Sequence, residues 1–471
     1  MTRYDVAVIG AGPGGYVAAL RAAQRGARVA LIEKERVGGT CLNRGCIPTK
    51  AMVRDAEVYR DAVSGQYALR VDTPIQVDFA KLMARKQQVV DSLVGGIEHL
   101  LAARKVDVLL GAGRLLAEQQ DDGRLIAIDT AEGEQVIIAG AVIVASGSVP
   151  ASVPIAGVEL PGVLTSRELL EIDHLPESVV VIGASTVGLE FACILHTLGS
   201  RVTVLGRKSF LRDAEPQLAR RFRSLLTRQG IEVQVGLEFS SIERLEDGKL
   251  RVHYDRRGAQ HADGEIVLLS TGRTPVTAGL GLEAAGVSLK GRAIAVDEHL
   301  QTSVSGVYAI GDCIGGHMLA HVASYEAEVV VDNIMGEPRV ADYRVVPSCI
   351  FTMPEIAGVG LTEEQAKERG LAFAVARFPF MVNGRALALG ETEGQVRILY
   401  ASAGEGKGDI LGVHIMGPHA SDLIAEAALA MQLNASVDKV ARTIHAHPTV
   451  PEALMEAAMN AGIGAIHFEQ R

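Results

Sequence analysis

Long apolar runs are missing from this sequence. No stretch approaches the ~20 residues that span a bilayer, and uncharged runs such as Gln135 to Val153 are broken by glycines, serines and a proline. A membrane partner is therefore not expected. A cationic leader is also lacking: Met1 to Gly15 runs directly into a glycine-rich turn, so a cytoplasmic location is the expectation. Cysteine is scarce. Five residues (Cys41, Cys46, Cys193, Cys313 and Cys349) in 471 make no disulfide framework, and in a reducing compartment a close pair points to catalysis. Neither sign of charge dominates, with 46 basic against 56 acidic residues, a net charge of -10 and no long run of one sign. A dedicated nucleic-acid surface is thereby disfavoured.

Glycine is plentiful at 51 residues but shows no G-X-Y period, so it serves turns and close backbone approaches. The length calls for several domains, and a 48% hydrophobic composition supplies their cores.

The chain contains a repeat. Tyr4 to Ile9 reads as a strand entering Gly10-Ala11-Gly12-Pro13-Gly14-Gly15, followed by a helical run to Gln24 and a second strand, Val29 to Ile32. Such a βαβ unit binds a dinucleotide: Gly10, Gly12 and Gly15 permit a tight turn and close approach of a pyrophosphate, and Glu33 can accept hydrogen bonds from a ribose. A second copy begins 173 residues later, with Gly183-Ala184-Ser185-Thr186-Val187-Gly188 between the strand Val179 to Ile182 and a helical run to Leu198. Two nucleotides are implied.

The acid of the first copy lies 23 residues past its first glycine, and the same offset in the second falls on Gly206, followed by Arg207 and Lys208. A carboxylate there would repel a 2′-phosphate, whereas a small residue and cations accept one, so the second site leans toward NADP(H). The alternative is a merely solvated basic loop. Ser185 replaces the second glycine and is expected to crowd the pyrophosphate slightly. The copies close on similar turns, Ala145-Ser146-Gly147 and Ser270-Thr271-Gly272, but the first is 48 residues longer and holds Gly38 to Lys50.

Within that insertion stands a C-x4-C pair, Cys41 and Cys46, just ahead of a helical stretch from Pro48 to about Val63. A regular helix would separate the two by about 7.5 Å, beyond the ~4.4 to 6.8 Å between Cα atoms that a disulfide tolerates. The segment must bend, and Gly45 can supply the bend. Cys46 would then sit at a positive helix end where a thiolate is stabilised, which favours a reversible disulfide over a structural or metal-binding pair. Lys50 and Glu190 follow key motifs of their own domains. They either pair where the nucleotide domains meet or are ordinary surface charges. Near the far end, His445-Ala446-His447-Pro448 precedes Pro451 and Glu452. Pro448 is expected to open a helix and Glu452 to hydrogen-bond one imidazole, making a candidate base, although lone histidines at helix starts are commonly caps.

Taken together, Gly10 to Ala23, Gly38 to Lys50, Tyr308 to Cys313, Leu319 to Ala323 and His445 to Glu452 resemble the flavin-dependent pyridine nucleotide-disulfide oxidoreductases over essentially the whole chain, most nearly the dihydrolipoyl-oxidising branch. The resemblance implies an α/β fold with two Rossmann-like nucleotide-binding domains, for FAD and NAD(P), plus a C-terminal α+β dimerisation domain. Expected boundaries are 1–149 for the FAD domain with the redox-active disulfide, 150–276 for the NAD(P) domain, 277–346 for a segment completing the FAD side, and 347–471 for the interface domain.

It further implies that FAD is held by Gly10, Gly12, Gly14, Gly15, Glu33, Gly39, Thr40, Lys50, Ser146, Gly147, Asp312, Leu319, Ala320 and His321. The pyridine nucleotide would lie on Gly183, Ser185, Gly188, Glu190, Arg207, Lys208, Arg212, Gly272 and Arg273. Cys46 would face the flavin while Cys41 exchanges with substrate. Lys50 would pair with Glu190, and His447 with Glu452 would serve the cysteines of a second subunit. The partner would be a lipoyl-bearing carrier protein or a small dithiol, with electrons passing between it, the cysteines, FAD and NAD(P). The alternative is an NADPH-dependent reductase of another disulfide or an electrophile. No metal is expected, and a mercuric-ion-reducing relative is disfavoured because 462–471 offers no cysteine pair.

Overall fold

The computed structural model describes residues 1–120 and 123–469. They form two compact units, the first made of Met1–Ala51, Ala80–Ser152 and Gly272–Asp342, the second of Met52–Phe79, Val153–Thr271 and the chain from Tyr343 on.

In the first unit the strand Thr2–Ile9 lies parallel to Val29–Glu33 on one side and to Gly133–Val144 on the other. Asp107–Leu110 extends the sheet beyond Val29–Glu33, Val307–Ala309 runs parallel to Gly133–Val144, and Gly123–Thr130 and Ala112–Gln120 continue it antiparallel. Val6, Val8, Leu31 and Ile143 are fully buried, as a parallel sheet covered on both faces requires. The helix Pro13–Gln24 begins with proline, whose missing N–H costs nothing there, and it packs Ala18, Ala19 and Ala22 into a core shared with Ala327 and Val330 of the helix Ala320–Ile334.

The second unit holds an all-parallel sheet in the order Glu232–Val235, Arg201–Gly206, Ser178–Ile182, Ile266–Leu269, Val163–Thr165. The helix Thr186–Leu198 links the central strand Ser178–Ile182 to its neighbour Arg201–Gly206, giving the second βαβ crossover, and a three-stranded antiparallel sheet over 238–264 follows in the chain. The C-terminal part is a five-stranded antiparallel sheet, Ser348–Ile350, Glu355–Gly360, Ile410–Gly417, Gln395–Ala401, Phe373–Pro379. Its core joins Phe378, Ile398 and Ile415 to Leu423 and Ala427 of the helix Ala420–Gln432 and Leu454 of Glu452–Met459. Ala425 to Leu433 thus divides between two faces: Ala427 and Ala430 enter this core, while Leu429 and Leu433 stay exposed.

Two local features depart from the sequence reading. Residues 52–79 belong to the second unit, where Arg60 pairs with Glu391 at 2.8 Å and the Tyr67 hydroxyl donates to Leu389 O at 2.8 Å. The helix expected from Pro448 begins only at Glu452. A helix opening at Pro448 would need an N–H from Pro451 to close its first turn, and the proline ring would strike the carbonyl four residues back. No helix among the described residues is long and apolar enough to cross a membrane.

Candidate functional site

The first glycine turn leaves an open cradle at the start of the helix Pro13–Gln24. Gly10 has φ +102°, a conformation that excludes most side chains, and a Cβ on Gly15 would collide with Gly10 O. A Cβ on Gly12 would meet nothing within 4 Å, and Gly12 caps the helix without any side-chain bond, so the first N–H groups are left for a ligand. Glu33 is buried at the end of the next strand, its Oε2 accepting from Ala11 N–H at 2.8 Å and its Oε1 from Glu35 N–H at 2.9 Å. Burial pushes its carboxyl up, against the backbone N–H bonds that favour the charge. Each oxygen keeps lone-pair capacity for a ribose hydroxyl. Gly39 lies close against Gly12, and a Cβ on Gly14 would press on Ile310 and Ala323. The residues present fit a dinucleotide pyrophosphate.

The second turn repeats this frame in its own unit. Gly183 has φ +127°, and a Cβ on Gly188 would collide with Gly183 O. The Ser185 hydroxyl donates to Ser270 O at 3.2 Å. At Gly206 a Cβ would sit 2.9 Å from both Ala184 Cβ and Val235 Cγ1, so packing as well as sequence keeps a carboxylate from the strand end. Arg207 and Lys208 are exposed there. Arg207 has only a loose partner, Glu238 at 3.8 Å, and Arg212 pairs with neighbouring Asp213 at 3.2 Å.

Cys41 ends up next to Cys46 because the chain breaks between two helices, Gly39–Arg44 and Cys46–Val63, with Gly45 at φ -148° and ψ -107° between them. A Cβ on Gly45 would come within 2.9 Å of Thr40 O, so the bend needs glycine. Cys46 is the first residue of an 18-residue helix, and the following turn is tied by Thr49, whose hydroxyl donates to Gly45 O at 2.6 Å. Both cysteines are half-buried free thiols joined by a side-chain hydrogen bond. That bond to Cys46, with burial behind it, pushes the Cys41 thiol well up, Lys50 opposing only in part. By contrast Cys193 and Cys313 are fully buried thiols, pushed by burial up to about 12 and about 11 respectively, and behave as small core residues.

Asp312 sits in the short turn Gly311–Ile314, whose Gly311 N–H donates to the buried Glu326 at 2.6 Å. Its carboxylate accepts from the Ser148 hydroxyl. Arg273 lies in the first unit: Nε donates to Ser148 Oγ at 2.6 Å and Nη2 to Ser148 O at 2.7 Å, with Asp312 Oδ2 3.8 Å away. The reason is the strand pairing of Arg273–Pro275 with Ser148–Pro150, which turns the guanidinium inward. Burial lowers its proton affinity, while Asp312 and Cys46 both counter that. Ser148 and Glu326 were not foreseen, and nothing local in the sequence marks them. Ser146 Oγ donates to Val276 O at 2.7 Å, and Gly147 at φ +73° receives the Val276 N–H on its carbonyl. Leu319 caps the helix Ala320–Ile334 without a side-chain bond.

In the second unit, His447 is 78% exposed on the loop before the last long helix, its Nδ1 2.9 Å from Glu452 Oε1. The other oxygen, Oε2, accepts from Thr449 N–H at 2.8 Å. Burial alone would raise the Glu452 carboxyl, but the Thr449 N–H and the His447 ring outweigh it and hold it below its ordinary value. The carboxylate stays charged, fixes Nδ1 as the donor and leaves Nε2 to face outward as a base. Glu190 in the same unit is buried and accepts from Phe351 N–H at 2.9 Å.

A paired thiol at a helix start, beside a glycine cradle for one dinucleotide and accompanied by a second cradle, defines an FAD-dependent disulfide oxidoreductase. The chain belongs to the pyridine nucleotide-disulphide oxidoreductase family, whose signature spans residues 4–327, and it carries that family's dimerisation domain over 346–458. Among curated relatives it is 41% identical to the dihydrolipoyl dehydrogenase of Bacillus subtilis, covering 99% of this chain and 100% of that one. It is also 41% identical to a leghemoglobin reductase of Vigna unguiculata, covering 97% and 87%. Similar solved structures include LpdA from Mycobacterium tuberculosis, with a TM-score of 0.88 at 27% identity over 98% and 99% of the two chains. The HOCl-induced flavoprotein disulfide reductase RclA from Escherichia coli, as its Cu(II) complex, gives 0.87 at 28% identity over 97% and 99%.

Proposed function

We propose that this chain is a dihydrolipoyl dehydrogenase that works as a cytoplasmic homodimer, oxidising a dihydrolipoyl dithiol, free or carried on a lipoyl-bearing protein, with NAD(P)+ as the acceptor. The observation that carries the reading is the Cys41 and Cys46 pair, hydrogen-bonded at the head of a long helix. Full-length similarity to enzymes named for that activity supports it.

In the oxidised pair, a substrate thiolate attacks the Cys41 sulfur and breaks the Cys41–Cys46 bond, with Cys46 leaving as a thiolate. The second substrate thiol then displaces Cys41, so the substrate closes its own disulfide and the enzyme holds two reduced sulfurs. The Cys46 thiolate is stabilised by the N-terminus of the helix Cys46–Val63 and by the Arg273 charge. His447 Nε2 takes the substrate thiol proton while Glu452 holds the ring through Nδ1. In the proposed dimer this dyad serves the cysteines of the second copy. Gly10, Gly12, Gly14, Gly15, Gly39, Thr40 and Glu33 hold FAD, together with Asp312 and the 319–321 helix start. In this reading Lys50 would supply a cation to the flavin. Bound FAD supplies the two-electron relay between the cysteine pair and the nicotinamide.

For the pyridine nucleotide we infer a preference for NADP(H), supported by the closed space at Gly206 and the exposed Arg207 and Lys208. Steady-state kinetics with NADH and NADPH, against lipoamide and glutathione disulfide, test both parts. Faster turnover of glutathione disulfide than lipoamide would replace this reading with an NADPH-dependent reductase of another disulfide.

A further inference from the structure

The segment Thr443 to Thr449, which presents His447, has no regular secondary structure between the helices Val437–Arg442 and Glu452–Met459. A base on an unsupported loop would be poorly aimed, so what fixes this segment bears on the chemistry. Its C-terminal end is tied by Thr449, whose N–H reaches Glu452, whose hydroxyl reaches Ala446 O at 2.7 Å, and whose carbonyl accepts from Asn383 Nδ2 at 3.1 Å. Its N-terminal end is held by a residue that the reaction does not use. The His445 side chain is only 5% exposed, although its neighbour Ile444 is almost fully exposed.

Both nitrogens of His445 face acceptors. Nδ1 lies 2.9 Å from Thr443 O, and Nε2 lies 2.9 Å from Glu426 Oε1 on the helix Ala420–Gln432. A neutral imidazole has one N–H, so only the imidazolium donates to both. The side chain thus bridges the loop's own backbone and one carboxylate on a helix that is itself packed into the unit's core through Leu423 and Ala427. A single residue, Ala446, separates it from His447, whose own ring is 78% exposed.

We propose that His445, through its pair with Glu426, is a positioning residue for the thiol half of the reaction: it pins the loop to the core so that His447 is presented at a fixed place. The inference rests on the functional reading above, in which His447 is the thiol base. Nicotinamide oxidation needs no such base, so the two halves of the reaction separate the roles.

The test uses the FAD-loaded full chain, with dihydrolipoamide as the dithiol and with reduced nucleotide passed to ferricyanide as the reaction that bypasses it. His445→Ala and Glu426→Ala are each expected to lower kcat for dihydrolipoamide by about 10- to 100-fold, as small misplacements of a reacting group do. KM for dihydrolipoamide and the ferricyanide rate should stay near wild type. Glu426→Gln is the conservative control: its amide can donate to a neutral His445 Nε2 while Nδ1–H still bonds Thr443 O, so it should restore the dithiol rate. Proportional loss of both reactions in the alanine variants, no loss in either, or failure of Glu426→Gln to rescue would each overturn the proposal. A parallel His447→Gln variant separates the two levels of the argument. If it abolishes dithiol turnover while His445→Ala does not, the positioning role alone falls. If it leaves dithiol turnover intact, the functional reading falls and the positioning role with it.

Discussion

Arg273 reaches Asp312 through one serine: the Ser148 hydroxyl accepts from the guanidinium at 2.6 Å and donates to the carboxylate. The two ions are 3.8 Å apart, so the hydroxyl relays a charge pair that would otherwise be loosely coupled. This fixes the orientation of the acid assigned to FAD and keeps a cation near Cys46.

Removing the guanidinium should therefore loosen the flavin. Hydrogen bonds to charged groups are worth roughly 1.5 to 3 kcal/mol, so Arg273→Met is expected to weaken FAD retention by about 10-fold or more. Ser148→Ala should act in the same direction. Fluorescence of FAD released on dilution measures this, and wild-type retention in both variants would remove the network from the account.

The cysteine pair makes a sharper demand. Cys46→Ser and Cys41→Ser should each lower dihydrolipoamide turnover by at least about 10³-fold, because residues that act as a unit fail together. A double variant should be no slower than either single one. Near-normal turnover in Cys46→Ser would end the disulfide mechanism.

The proposed nucleotide preference rests on charge at the end of the strand Arg201–Gly206. Arg207→Glu places a carboxylate where a 2′-phosphate is proposed to lie, and kcat/KM for NADPH should fall by about 10- to 100-fold while NADH changes little. Equal use of the two nucleotides by the unmodified enzyme would sink the preference outright.

Acid stability carries the signature of His414. The ring is buried, its Nε2 donating to Leu361 O at 2.8 Å, and it lies near Arg397, Glu363 and Glu215. Burial holds its proton affinity below the ordinary value, with the Leu361 carbonyl opposing. The folded chain therefore keeps it neutral while the unfolded chain takes up a proton below about pH 6.5. Stability from this residue is present above that pH and is lost as the pH falls through it. The melting temperature should drop less between neutral and mildly acidic pH in His414→Gln than in the unmodified protein. Parallel pH slopes would contradict the assignment.

The glycine turns, the break at Gly45 and the pairing of His447 with Glu452 were legible because each is carried by neighbours in sequence, where one residue's geometry constrains the next. Arg273 was not, since its placement depends on pairing with a strand 125 positions away. The helix start at Glu452 was misjudged because a proline three residues inside a helix forbids the turn that Pro448 alone would favour. His445 and Glu426 lie 19 positions apart, and the ring's burial next to an exposed isoleucine has no periodic signature. The group formed by buried Glu215, Arg397 and His414 with half-buried Glu363 is drawn from segments brought together only by the finished fold.

Gly15 against Gly10 and Gly188 against Gly183 are the same clasp made twice in one chain. They give the two halves a common ruler, from which the residue proposed to face each ribose can be counted without alignment to any other protein. An engineer wishing to redirect this catalyst from one coenzyme pool to another can leave both clasps alone and exchange only the short segment that begins at Gly206.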